Sequence, residues 1–139
     1  MDENTKPEAP KNEDRPTESA KLLTREMILA RQSLVAELVN VAEWGGTVRV
    51  RELTGAERDK YEAALVRMQK GGKTDLVMDN ARARLVSLAV IDASGARVFT
   101  EADVVKLGNL SAVALNRVFD VAARLSKITE EDLGELAGN

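Results

Sequence analysis

The sequence predicts a mainly helical α+β domain of five to six helices with one β-hairpin near residues 36–53. Three observations point there. Two valine-bearing runs flank Gly45 and Gly46, residues suited to a tight turn. Apolar residues recur at helical spacing through most of the remaining chain, behind Ser, Thr or Asp caps. Hydrophobic content is 44% with only 3% aromatic, so the core has to be built from aliphatic side chains.

Residues 1–20 form a separate regime. Pro7, Pro10 and Pro16 are the only prolines of the chain, charges of both signs alternate, and Met1, Ala9 and Ala20 are the sole apolar residues there. Such a stretch buries too little surface to offset its ordering entropy. It is expected to be a disordered, passive tail ahead of a single domain over residues 21–139. It also lacks the apolar run of a signal peptide. A short helix from near Leu22 to Gln32 follows, with Leu23, Met27, Ala30 and Leu34 at helical spacing and Thr17, Ser19 or Thr24 as its cap.

The hairpin is expected to use Gly45 and Gly46 as a two-residue turn. Trp44 then faces Thr47, Val41 faces Val50 and Asn40 faces Arg51. Val39, Val41, Val48 and Val50 share one face, and Asn40, Ala42, Trp44, Arg49 and Arg51 share the other. A lone hairpin is marginal in water, so helices must cover the valine face.

Thr54-Gly55-Ala56-Glu57 is a capping box. It opens a helix with a stripe of Tyr61, Ala64, Leu65 and Met68, ended by Gly71 and Gly72. Thr74 or Asp75 caps the next helix, to about Val90. Asp92-Ala93-Ser94-Gly95 is a turn, and Arg97 to Phe99 a brief extended piece. Thr100 caps a short helix through Leu107, with Asp103 closing the box. Ser111 starts a longer helix through about Lys127, its polar residues Asn116, Arg117, Asp120, Arg124 and Lys127 confined to one stripe. Thr129 to Asp132 begins a last short helix with acids at its favourable end.

The bulk numbers exclude several functions. The 139 residues carry a formal charge of −3, and phosphate binding needs clustered cations, so no nucleic acid is expected. No apolar run is long enough to span a bilayer, so no membrane is expected either. Cys and His are both absent, which removes thiol and imidazole chemistry and thiolate zinc sites. Gly71-Gly72-Lys73-Thr74 imitates the end of a phosphate-binding loop, yet Arg67 stands where that loop needs its first Gly, and a helix precedes it. The Asp92 turn has its Gly at the wrong position for a calcium loop. Glu101, Asp103, Glu130, Glu131 and Asp132 sit in first turns, where capping accounts for them. No catalytic residue, metal or cofactor is expected.

Two surfaces remain as candidates for binding a partner. Trp44, Arg49 and Arg51 share one strand face, and Trp and Arg concentrate interface energy. The alternative is that Trp44 packs on a helix or under the arginines. The helix from Ser111 carries an apolar arc that includes Val118, Phe119, Val121, Ala122 and Leu125, wider than one core face needs. It is either the central helix of the domain or partly a surface for another chain.

The string Glu43 to Asp59, EWGGTVRVRELTGAERD, resembles the tail assembly chaperones of long-tailed, siphovirus-type bacteriophages. So do Leu88 to Val104, LAVIDASGARVFTEADV, and the stretch from Leu107 to Leu125 with the later Glu131-Asp132-Leu133. The resemblance covers about residues 22–139. It implies a non-enzymatic assembly factor that coats the tape measure protein in the host cytoplasm, keeps it soluble until the tail tube assembles, and is absent from the mature virion. Some members of that family are also made as a longer frameshifted product that recruits the tail tube protein, and by the resemblance this chain is the shorter product. Self-association through hairpin edges or the wide helix is a further expectation. The alternative is a small structural or connector subunit of a phage tail or related contractile particle.

Overall fold

The computed structural model describes residues 19–31, 33–68, 72 and 74–136. The chain divides into two compact units, residues 1–33 and 34–139. In the first, helix α1 spans Arg25–Ala30. Thr24 caps it: its Oγ1 accepts from the Met27 amide at 3.2 Å. Residues 1–18 of the expected tail, and Gln32, lie outside the described residues.

The second unit is built on a three-stranded antiparallel sheet in the order β1-β2-β5. β1 is Ala36–Val41 and β2 is Gly46–Arg51. β5 is the two-residue strand Val90–Ile91. The hairpin is where sequence placed it, but its register differs. Val41 pairs with Gly46, Val39 with Val48 and Ala36 with Arg51. The connection has four residues: a 3-10 turn over Ala42–Trp44, closed by Gly45 at φ 77°. Gly45 N–H donates to the Ala42 carbonyl at 3.0 Å. The shift is even-numbered, so it leaves Val39, Val41, Val48 and Val50 on a common face. Hydrophobic alternation cannot separate the two registers, and the turn decides between them.

Helix α2, Gly55–Ala64, begins with the expected box: Thr54 Oγ1 accepts from the Glu57 amide at 3.1 Å, and Glu57 Oε1 accepts from the Thr54 amide at 2.9 Å. It ends sooner than its stripe suggested. Val66–Met68 is a strand, β3, paired antiparallel with β4, Thr74–Leu76. The helix expected from Thr74 instead starts at Ala81, as α3, Ala81–Ala89. Gly72 has φ 82°. A helix stop and a hairpin turn make the same demand for positive φ, so glycine alone could not distinguish them. Tyr61 and Leu65 of the expected stripe are buried.

α3 is the innermost element. Ala83, Leu85, Val86 and Ala89 are fully enclosed, and its chain runs straight on into β5. A 3-10 turn, Glu101–Asp103, leads into α4, Val104–Gly108, which packs on α3 through Val104 and Leu107. α5, Ala112–Leu125, packs on α3 and across the valine face of β1 and β2. It buries Ala114, Leu115, Val118 and Ala122, positions spaced to fall on one side of a helix. Alanines on both α3 and α5 let the two helices approach closely. α6, Glu130–Leu136, closes the order. Each fully buried Val or Leu contributes about 1.5–3 kcal/mol, so an aliphatic core of this size stabilises the fold without aromatic bulk.

Candidate functional site

With α5 covering the valine face, the other face of the sheet is left outward. Leu38 of β1 stands opposite Arg49 of β2, and Arg49 opposite Ile91 of β5. Beyond β5 the chain turns at Asp92 to Ala96 and comes back, so that Arg97 bridges Ile91 and the Val98 amide donates to the Val90 carbonyl at 3.1 Å. Val98 and Phe99 thereby reach the same face. A shallow groove of about 580 Å³ runs over it, lined by Leu38, Trp44, Thr47, Arg49, Ile91, Val98 and Phe99 among others.

The groove is apolar with one free cation. Leu38 is 65% exposed and Val98 50%. Trp44 is half-buried: it packs against the core and also lines the groove. Arg49 is exposed and has no hydrogen bond or ion pair among the described residues. The one carboxylate at the rim, Asp92, is occupied. It accepts from the Ser94 hydroxyl at 2.7 Å, the Ser94 amide at 2.9 Å and the Ala96 amide at 3.1 Å. Those bonds hold its pKa below the usual carboxylate value. They also explain the turn without a bound ion.

The other residues singled out in the sequence lie elsewhere. Arg51 does not join Trp44 and Arg49 on open surface. It is buried at the end of β2, where Glu57 and the Glu52 carbonyl take its guanidinium. Val118 and Ala122 are fully enclosed and present nothing to a partner in this conformation. α5 thus turns part of its wide arc into the core, beside the innermost helix α3. Val121 and Leu125 are half-buried against the core. Phe119 lines a second groove of about 560 Å³ with Tyr61, Met78, Leu110, Leu115 and Leu133. The Arg82 guanidinium sits 6.0 Å from its ring centre, at the outer limit of a cation–π contact.

Leu38, Ile91, Val98 and Phe99 are the groove residues that sequence reasoning missed. Leu38 was legible only with the correct register, which sets it beside Arg49. Ile91 and Val98 required the third strand, which in sequence looks like the end of a helix and a loop.

Of the carboxylates considered for acid–base work, Asp103, Asp132 and Glu101 are occupied by caps and pairs. Asp103 accepts from the Thr100 amide at 2.9 Å, Asp132 from the Thr129 amide at 2.9 Å, and Glu101 pairs with Arg84 at 2.6 Å. Among the described residues, no cluster of three or more acids, Cys or His is arranged for a metal ion. None of the described helices is long and apolar enough to cross a membrane. Gly71 and Lys73 of the loop-like string lie outside the described residues.

The chain is similar in three dimensions to the tail assembly chaperone of bacteriophage HK97. The TM-score is 0.50 at 20% identity, over 66% of this chain and 85% of that one. At that identity the likeness shows the fold alone. No curated protein matches the sequence. Residues 23–135 match the family model described as phage tail assembly chaperone. That match runs from the cap of α1 into the last helix, and the chain belongs to the phage tail assembly chaperone family.

Proposed function

We propose that this chain is a non-enzymatic chaperone that binds the tape measure protein and keeps it soluble until the tail tube assembles. Family membership supports tail proteins as its partners. The observation that carries the finer reading is the outer sheet face: Leu38 and Val98 stand half or more exposed around Arg49, which has no partner among the described residues. Apolar patches of this kind on a small protein mark interaction sites. A partner segment that suits the groove is aliphatic and carries one acid to meet Arg49. In this reading the chain acts in the host cytoplasm and leaves before the virion matures. A longer frameshifted product that recruits the tail tube protein extends the same role.

Co-expression with the tape measure protein of the same phage tests the reading. The soluble fraction of that protein is expected to rise with this chain present. It is expected to fall again with Arg49→Glu or Val98→Lys, both exposed positions whose exchange leaves the fold intact. A tape measure protein equally soluble alone overturns the proposal. So does mass spectrometry that finds this chain as a stoichiometric part of purified virions, which is the outcome for a structural or connector subunit.

A further inference from the structure

We infer that α6 is a lid that opens on its own, uncovering the groove floored by Tyr61, Leu115 and Phe119 while the rest of the fold stays closed. α6 supplies one wall of that groove through Glu130 and Leu133. On the floor, Tyr61 is 2% and Leu115 5% exposed. The lid is lightly fastened. It has no fully buried residue, and Leu133 and Leu136 are half-buried against the core. Seven residues are too few for a helix to keep its shape alone in water. Gly134 weakens this one further, since it lies inside the helix. The first turn is held locally: Thr129 Oγ1 accepts from the Asp132 amide at 3.2 Å, and Asp132 Oδ2 accepts from the Thr129 amide at 2.9 Å. An ion pair from Asp132 to Arg58, at 3.4 Å and partly exposed, adds a tether to α2.

The chain just before the lid is fixed without it. α5 closes its own end: the Ile128 amide donates to the Ala123 carbonyl at 2.9 Å around Lys127, whose φ of 55° supplies the left-handed residue such a closure needs. Ser126 is pinned from outside. Its Oγ accepts from the Leu53 amide and its carbonyl from Arg58 Nη1, both at 2.9 Å. None of these bonds involves a residue of α6, so the opening stops at Lys127. Arg58 also keeps partners when Asp132 leaves, because Glu62 at 2.8 Å and the Ser126 carbonyl still hold its guanidinium. Departure of α6 therefore strands no charge. What it uncovers is apolar: Leu133 on the lid, and Leu115, Phe119 and Tyr61 on the floor. Closed, the helix keeps this surface from water; open, it leaves the surface bare beside an intact sheet.

This lid does not rest on the tape measure reading, because no residue of α6 lines the groove on the sheet. Thiol labelling of the full chain tests it. The chain has no cysteine, so Leu115→Cys puts a single thiol on the groove floor. Ala89→Cys puts one at the far end of α3, fully enclosed and outside the groove. Each is reacted with an aromatic disulfide reagent in increasing urea below the unfolding transition. Opening of one short helix exposes little surface, so the Leu115→Cys rate is expected to stay nearly flat with urea, while the Ala89→Cys rate climbs steeply. Two further exchanges, each combined with Leu115→Cys, show the route. Gly134→Ala, whose added Cβ meets nothing within 4 Å, is expected to slow labelling roughly four- to fivefold. Thr129→Ala removes the cap and is expected to speed it about fivefold. A groove thiol whose rate climbs with urea as steeply as the Ala89→Cys rate overturns the proposal, because the groove then opens only when everything does. So does a rate that neither exchange moves, which assigns the opening to another element, or a thiol that reacts as fast as in the unfolded chain. If Leu115→Cys does not fold, Ala81→Cys, buried on the same groove, carries the measurement.

Discussion

Arg51 grips the Glu57 carboxylate with two parallel bonds, 2.8 Å from Nη1 to Oε1 and 3.0 Å from Nη2 to Oε2. The same carboxylate accepts from the Thr54 amide at 2.9 Å. One side chain thus closes the cap of α2 and fastens that helix to the end of β2. Both partners are largely shielded from water, with side chains 11% and 18% exposed. Removing either leaves a shielded charge without its counterpart. Arg51→Ala is expected to cost roughly 2–3 kcal/mol in urea unfolding. An exchange at Arg25, whose pair with Glu26 is exposed, is expected to cost almost nothing.

The same pair gives an acid limb to the stability profile. Burial alone pushes the Glu57 carboxyl upward, but the bonds from Arg51 and Thr54 outweigh it and hold its pKa below the usual value. A carboxyl lowered by folding adds stability above its unfolded pKa. That contribution is lost as pH falls through the folded one. Urea midpoints measured from about pH 7 down to about pH 3 are expected to fall. With Glu57→Gln the starting midpoint is lower and the fall is shallower. An unchanged slope in that variant assigns the acid limb to other carboxylates.

Two further arginines tie α5 to the hairpin from outside. Arg124 holds Glu37, and Arg117 holds Glu43. The arginine bond is the largest cause lowering the pKa of each carboxyl. Both pairs are open to solvent and screened by salt. Arg117→Gln and Arg124→Gln are therefore expected to move Tm little, and less in high salt than in low. A large, salt-insensitive loss of Tm shows instead that the pairs fix the packing of α5.

Gly108 and Asn80 form a tight joint between α4 and the start of α3. A Cβ built on Gly108 falls 2.0 Å from Asn80 Oδ1 and 3.0 Å from its Cγ. Asn80 itself caps α3 at φ 57° and makes no capping bond with its side chain. Gly108→Ala therefore forces Asn80 aside, at a cost of about 1–3 kcal/mol. Asn80→Gly keeps the left-handed backbone and removes the obstacle. A double-mutant cycle is expected to show the two changes rescuing one another by more than 0.5 kcal/mol or so. Strict additivity locates the strain elsewhere.

What could be read from the sequence follows from what each signal constrains. The capping boxes at Thr54 and Thr100 and the cap at Ser111 were visible because cap and first turn are near in sequence. The strand β5 was not, because Val90 and Ile91 prolong the apolar run of α3 and join the sheet through the distant Arg49 and Val50. β3 and β4 were hidden because the glycine between them serves a helix end equally well. On the candidate face, Trp44 and Arg49 stood out by residue type. Leu38 and Val98 are ordinary aliphatics whose exposure depends on which sheet face α5 covers.

The hairpin turn offers a direct test of the register. The two-residue turn expected from sequence needs left-handed backbone at both Gly45 and Gly46. In the structure only Gly45 is left-handed, at φ 77°, and Gly46 is already the first residue of β2, paired with Val41. A Cβ at either position meets nothing within 4 Å, so backbone conformation alone sets the cost. Gly45→Ala is expected to destabilise by about 1–2 kcal/mol. Gly46→Ala is expected to be neutral or slightly stabilising, because it lowers the entropy of the unfolded chain. Thermal unfolding of the two variants measures this directly. Equal losses at both positions restore the two-residue turn, shift the strands by four residues, and take Leu38 away from Arg49.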